Sequence, residues 1–463
     1  MDALKVGRYK INKSYIYVAL VCFIALSFYL DYIVLFDPNA TKKQLQYHYE
    51  ANRVTCFGKT QERNRLIGDK TSRTKLLSYL KRPTCNNLLR NISLGNWVLR
   101  KPIDFALRQE LDSIHDNYRK EVGIPVQPWR SDGRCGYKVM GTAGKKNWPR
   151  VASFCDPKSN RQCCTDWNSG VCVAISTTQQ CNCLGCVNTE KYYTDALEST
   201  WVTNDNRCKW VNYTQLEACA VLNELSDQQH MAELYFVGDS LMRNMFMGFA
   251  LLLSGELKRG LWKTCLSKEL NQTCQGDNQF VLRRCHSIAV AHSLDEMGHN
   301  NGILCGGHRY FNVWYKDYGM PSQSQDFIKF VQEISGKPNT YVVLGVGLHF
   351  QLQSDKTIQS FLDPVFKMLG EAKQVWPKII WVHALSIGLL KPPTYHKLQG
   401  TNAITRFVAE IESYLKLHQV PSLDFRSITA EVRSYDGTHY GSGVNIMKAQ
   451  ILLNYLSTLS LHT

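Results

Sequence analysis

A short apolar run that stops at Gly238-Asp239-Ser240 and gives way to an amphipathic segment constrains this chain more than any other feature. Leu234, Tyr235, Phe236 and Val237 are brief, apolar and closed by a glycine, the pattern of a buried strand. Met245, Phe246, Phe249, Leu252 and Leu253 then recur at helical spacing. Strand, tight turn and helix follow one another, so the serine is held at a sheet edge. There the first N–H groups of the helix face any negative charge that develops on a substrate. The plainer alternative is that Asp239 or Ser240 only caps the helix.

A second stretch near the other end shifts that balance. Asp436-Gly437-Thr438-His439 precedes Tyr440-Gly441-Ser442-Gly443 and a last amphipathic helix. A serine hydroxyl is a weak nucleophile until a base takes its proton, and the base works best when a carboxylate sets its tautomer. Asp436 and His439 can supply both roles from one turn. The candidate catalytic set is Ser240, Asp436 and His439, in that chain order.

Strand–GDS–helix early and DxxH late resembles the GDSL/SGNH hydrolase superfamily. The DGTH form is similar to its PC-esterase branch, which contains glycan O-acetyltransferases and related membrane-anchored proteins. The resemblance covers about 231–463 and implies a three-layer sandwich around a central parallel sheet. The superfamily carries an internal block after a middle strand, matched here by residues 340–350. It uses an asparagine there as an oxyanion donor, whereas this chain offers glycines and His349. The Ser240 backbone N–H is the first oxyanion candidate; Gly306, Gly307, Gly345, Gly347 and His349 are the others.

At 463 residues two or three folded units are expected. The net charge of +15 favours acidic partners, such as anionic glycans or phospholipid headgroups. No nucleic-acid motif is present, so no nucleic-acid partner is expected. Of the 17 cysteines, Cys22 lies in an apolar segment. The other 16 are an even number that suits disulfide pairing in an oxidising compartment. Asn91, Asn212 and Asn271 head glycosylation triplets, which fit a lumenal face, and Asn39 heads a fourth close to the membrane.

Residues 1–14 carry Lys5, Arg8, Lys10 and Lys13 against Asp2. The stretch 15–36 is apolar except for Ser27 and Asp31, and as a helix it would span about 33 Å. A cytosolic tail, a transmembrane signal anchor and a lumenal C-terminal body are expected, a single-pass type II protein. A cleaved signal peptide is the alternative, against which stand the length of the run and the lack of a small-x-small cleavage site. Residues 37–130 read as a stem and lead-in, with a helix over 103–119 and with Cys56 and Cys85 available to close one loop.

Residues 131–188 hold eight cysteines and few aliphatics, a segment that needs disulfides in place of a core. Their order resembles the hevein-type chitin-binding module, which implies Trp167 as a sugar-stacking residue. The wide gap between Cys135 and Cys155, and Val171 and Val173 where an aromatic and a glycine are usual, depart from that module. A structural knot is the favoured reading of the segment. A metal is not expected, because clustered thiols pair in an oxidising lumen. Residues 189–230 read as a linker with a small loop closed by Cys208 and Cys219.

In 231–463, strands are expected at 280–282, 287–291, 340–344, 378–383 and 420–425, and helices at 358–374, 401–417 and 446–456. Cys265, Cys274, Cys285 and Cys305 are expected to brace loops around the site. Alternating strands and helices argue for a parallel sheet covered on both faces. The expected function is a Golgi glycan O-acetyltransferase working through a serine acyl-enzyme. No cofactor is expected to be bound; acetyl-CoA is a candidate acyl donor, delivered freely or by a partner protein. A lumenal carbohydrate esterase and a catalytically idle carbohydrate-binding protein are the alternatives.

Overall fold

The computed structural model describes residues 80–122, 163–166, 171–173, 194–255, 267–282, 284–286, 291–296, 304–307, 309–388, 390–391 and 393–459. The expected anchor at 15–36, most of the cysteine-rich segment and Trp167 lie outside them. Among the described residues no helix is long and apolar enough to cross a membrane.

Nine strands are described. Five of them, β5 (Ala232–Gly238), β6 (Phe311–Asp317), β7 (Thr340–Gly345), β8 (Lys378–Val382) and β9 (Ser422–Leu423), form one parallel sheet in the order β6-β5-β7-β8-β9. The chain starts in the interior of this sheet, adds one strand on one side and then builds outward on the other. Such a doubly wound sheet has its switch point between the first strand and the third, here β5 and β7. Ligands bind beyond the carboxyl ends at that crevice.

Alternation along β5 explains the layers, since successive side chains point to opposite faces. Leu234 and Phe236 join Tyr341, Val343, Ile380 and Val382 in one core cluster, with helices α2 (Gln215–Glu224), α3 (Ser240–Ser254) and α7 (Ser442–Leu459). Tyr235 and Val237 join Val342, Leu344, Ile379 and Trp381 in the other, with α4 (Ser324–Ile334), α5 (Asp363–Glu371) and α6 (Thr401–Leu417). The result is an α/β/α sandwich, as expected. Phe236, Phe407 and Trp381 are wholly buried, each contributing roughly 2–3 kcal/mol by area.

The segment before the sheet belongs to the same body, which corrects the linker at 189–230. Strand β1 (Gly95–Leu99) pairs antiparallel with β4 (Ser199–Thr203), and Trp97 and Trp201 meet edge-to-face at 5.3 Å. Trp201 and the apolar face of α2 lie in the first core cluster. Short apolar positions scattered among polar ones hid this packing from a reading by composition. Helix α1 (Phe105–Val122) falls where the helix at 103–119 was expected. The remaining strands, β2 (Cys163–Asp166) and β3 (Val171–Val173), pair antiparallel with each other.

Three more expectations are corrected. Among the described residues the disulfides are Cys85–Cys208, Cys219–Cys305 and Cys274–Cys285. Cys85 and Cys208 therefore take neither partner that sequence proximity suggested, because β1 and β4 bring distant segments side by side. The strand expected at 280–282 is instead part of a helical turn, Asn278–Val281, inside the disulfide-closed segment. The strand at 311–317 and helix α4 were not anticipated. The alternation of Phe311, Val313 and Tyr315 inward is a signal that could have found β6.

Candidate active site

The switch point is built by three glycines. Gly238 ends β5 opposite Gly345, which ends β7. A Cβ on Gly238 would lie 2.1 Å from the Gly345 carbonyl oxygen, and one on Gly345 would lie 2.6 Å from Met242 Sδ. Their absence of side chains lets α3 leave the sheet edge at once. Gly347, at φ +136°, turns the chain away over Phe407.

Asp239 caps α3: its carboxylate accepts from Leu241 N–H at 2.9 Å, and its carbonyl accepts from Met242 and Arg243 N–H. The capping role offered as the plainer alternative is thus real, but it belongs to Asp239. Ser240 is left as the first residue of the helix, its N–H outside that set. Asp239 is buried, and burial pushes its carboxyl up against the opposing pull of Leu241 N–H, His349, His439 and Arg243. The Tyr315 hydroxyl on β6 donates to the Gly238 and Asp239 carbonyls, pinning the turn from the side.

The second half of the site comes from the loop between β9 and α7. Ser240 Oγ lies 2.7 Å from His439 Nε2, and His439 Nδ1 lies 2.7 Å from Asp436 Oδ2. The other carboxylate oxygen accepts from Thr438 and His439 N–H, both at 2.8 Å. A carboxylate at Nδ1 puts the proton there and leaves the Nε2 lone pair for the serine hydroxyl. Burial works to raise the Asp436 carboxyl. The imidazole beside it and these hydrogen bonds outweigh that and hold it at about 2.

Gly437 makes the turn possible. It sits at φ +79°, and a Cβ there would fall 1.9 Å from Lys391 N. Lys391 Nζ donates to Thr438 Oγ1 at 2.8 Å and to Gln399 Oε1 at 2.6 Å, and burial pushes its ammonium down to about 8. Leu241, Leu348, Leu352, Leu385, Ile387 and Thr438 line a mostly apolar cavity of ≈ 20 Å³ beside the serine's helix.

Of the other oxyanion candidates, Gly345 and Gly347 bracket the turn after β7 at the switch point. His349 is exposed and close enough to act on Asp239 electrostatically. Gly306 and Gly307 lie in a 3-10 turn, Leu304–Gly307, which packs on α2 and α3. Of the expected glycosylation sites, Asn212 is exposed, Asn91 donates to the Asn86 carbonyl, and Asn271 lies in the short helix Lys268–Thr273. No group of three or more possible metal ligands occurs among the described residues. Sequence reasoning missed Arg243, Asp277, His286, Lys391 and Tyr435. Only Arg243, one helical turn after Ser240, carried a local signal.

No family model matches this chain, and neither does any curated protein. Among solved structures, a lipolytic protein of the G-D-S-L family from Veillonella parvula is 12% identical, with a TM-score of 0.27, covering 48% of this chain and 96% of its own. A carbohydrate acetylesterase from Sinorhizobium meliloti is 12% identical, with a TM-score of 0.29, covering 50% and 100%. A likeness at this level carries no argument about chemistry, which has to come from the site itself.

Proposed function

We propose that this protein is an acyl-transferring enzyme that works through a serine acyl-enzyme. One observation carries the reading: a hydroxyl, an imidazole and a carboxylate linked by two contacts of 2.7 Å at the switch point of the sheet. His439 takes the proton of Ser240 as Oγ attacks an ester or thioester carbonyl, and Asp436 stabilises the imidazolium that forms. The Ser240 N–H, at the start of α3, faces the oxyanion, with Gly345 and Gly347 as candidate second donors. The imidazolium then protonates the leaving group, an alcohol from an ester donor or the thiol of acetyl-CoA. A second hydroxyl, activated by His439, cleaves the acyl-enzyme.

That second hydroxyl decides the enzyme's class. A sugar hydroxyl makes it a glycan O-acetyltransferase, the reading we favour, and water makes it a carbohydrate esterase. The apolar cavity lined by Leu241, next in the chain to Ser240, supports an acyl group as the part transferred. The acyl donor is proposed to be acetyl-CoA or an acyl-carrying partner protein. The chain is proposed to work as a type II protein of the Golgi membrane, anchored by residues 15–36. The charge of +15 supports an acidic glycan as acceptor.

A fluorophosphonate probe tests the core of this reading. Ser240 is expected to be labelled in the wild type and unlabelled in His439→Ala; absence of wild-type labelling would sink it. Incubating the lumenal fragment with acetyl-CoA and glycans, against an aryl acetate in water, then separates transferase from esterase.

A further inference from the structure

The two halves of the site come from places 196 residues apart, and one short segment touches both. It runs from Cys274 to His286 and is closed by the Cys274–Cys285 disulfide, both of whose cysteines are fully buried. Near its start, the buried Asp277 carboxylate accepts from the Tyr435 hydroxyl, from Ser442 N–H at 2.9 Å and from the Ser442 hydroxyl. Tyr435 immediately precedes Asp436, and Ser442 follows His439 by three positions. One carboxylate thus brackets the whole catalytic loop. Gly441 belongs to the same arrangement, since a Cβ there would fall 2.2 Å from Asp277 Oδ2.

At the other end, His286 Nδ1 lies 3.2 Å from Arg243 Nη2, one turn along α3 from Ser240. Burial first, and then the Arg243 and His439 charges, push the His286 imidazole down to about 3, so it stays neutral and accepts the guanidinium proton.

The loop needs outside support. Its own backbone bonds, among the described residues, close it on itself or on Gly388: an antiparallel bridge between Ser434 and Tyr440, Tyr435 N–H to the His439 carbonyl at 3.0 Å, and Gly388 N–H to the Gly437 carbonyl at 2.9 Å. None of these ties it to α3. The Tyr435 ring is held further by His115, stacked on it at 4.2 Å.

We infer that the disulfide-closed segment 274–286 is a clasp, and that Asp277 is a positioning residue that keeps Asp436 and His439 in register with Ser240. The inference rests on the acyl-enzyme reading for its effect on rate, but its geometry can be tested apart from that reading. Two readouts on the full chain serve: the rate of fluorophosphonate labelling of Ser240, and the low-field proton resonance of His439 Nδ1–H. The latter reports the bond to Asp436 and is assigned by its loss in His439→Ala.

Asp277→Asn is expected to slow labelling about 10²-fold, the cost of an ångström of misplacement, and to abolish the low-field resonance while the chain stays folded. Tyr435→Phe, which removes only a hydroxyl, is expected to do the same to a smaller degree and stands in should Asp277→Asn fail to fold. Wild-type labelling rates and an unchanged resonance in the variant would overturn the clasp and leave the acyl-enzyme reading intact. A slowing no larger than the unfolded fraction accounts for would overturn it too. If the wild type is not labelled but its resonance disappears in Asp277→Asn, the clasp stands and the acyl-enzyme reading falls.

Discussion

The two halves of the site are held by different means. The Ser240 turn is held by backbone: β5 pairs with a parallel strand on each side, and Asp239 closes the first turn of α3. The Asp436–His439 loop follows a two-residue edge strand and is held largely by side chains from elsewhere, namely Asp277, Lys391 and His115. The nucleophile is thus part of the scaffold, whereas the base and its carboxylate are docked onto it. Damage to the backbone framework of the first half should show as lost folding, and damage to the supports of the second as lost activity in a folded protein.

Four experiments break or sharpen that contrast. Removing the chemistry itself has the largest expected effect: Ser240→Ala or His439→Ala should lower turnover of an aryl acetate by about 10⁴-fold or more. Circular dichroism and melting temperature should stay near wild type in both.

Next come two glycines. Gly238→Ala forces a Cβ onto the Gly345 carbonyl where two interior strands end, and a loss of more than about 3 kcal/mol of stability is expected in chemical denaturation. Gly437→Ala strikes Lys391 N in a loop that can shift, so its loss should fall mainly on kcat, about 10²-fold. Equal melting losses in the two variants would erase the distinction.

A smaller effect is expected from pH. The Asp436 carboxyl, held at about 2 against a usual value near 4, adds stability that is fully present above about pH 4 and is lost as pH falls toward 2. This is of order 2 kcal/mol, and Asp436→Asn should remove that dependence from acid denaturation curves. Lys391 gives a slope of the same sign at alkaline pH. Its amine is pushed down to about 8, so the folded state sheds a proton the unfolded state keeps, and stability rises between about pH 8 and 10. Lys391→Met should flatten that rise.

The smallest expected effect is at the cap. Asp239→Asn keeps an acceptor for Leu241 N–H and should cost at most about 1 kcal/mol in melting experiments.

How much of this was legible beforehand follows the same division. The strand at 234–237 and the helices at 401–417 and 446–456 were readable because local periodicity reports a buried face. The pairing of Cys85 with Cys208, and of Cys219 with Cys305, was not. Nearness along the chain was the wrong guide once β1, β4 and α2 had packed into the main core. The strand expected at 280–282 became a helical turn because a disulfide spanning only 11 residues closes a compact loop there.

By itself the sequence determined that this chain would build a parallel α/β sheet, with a serine at the first strand's end and an aspartate and histidine in its last loop. Spacing and hydrophobic alternation act over a few residues and need no knowledge of the rest of the fold. Only the tertiary structure decided that the hydroxyl and imidazole stand 2.7 Å apart, which cysteines pair, and that a carboxylate at 277 grips both ends of the catalytic loop. Those facts depend on distances between segments far apart in the chain. Such distances are set by how the two cores pack on the sheet, which no short stretch of sequence encodes.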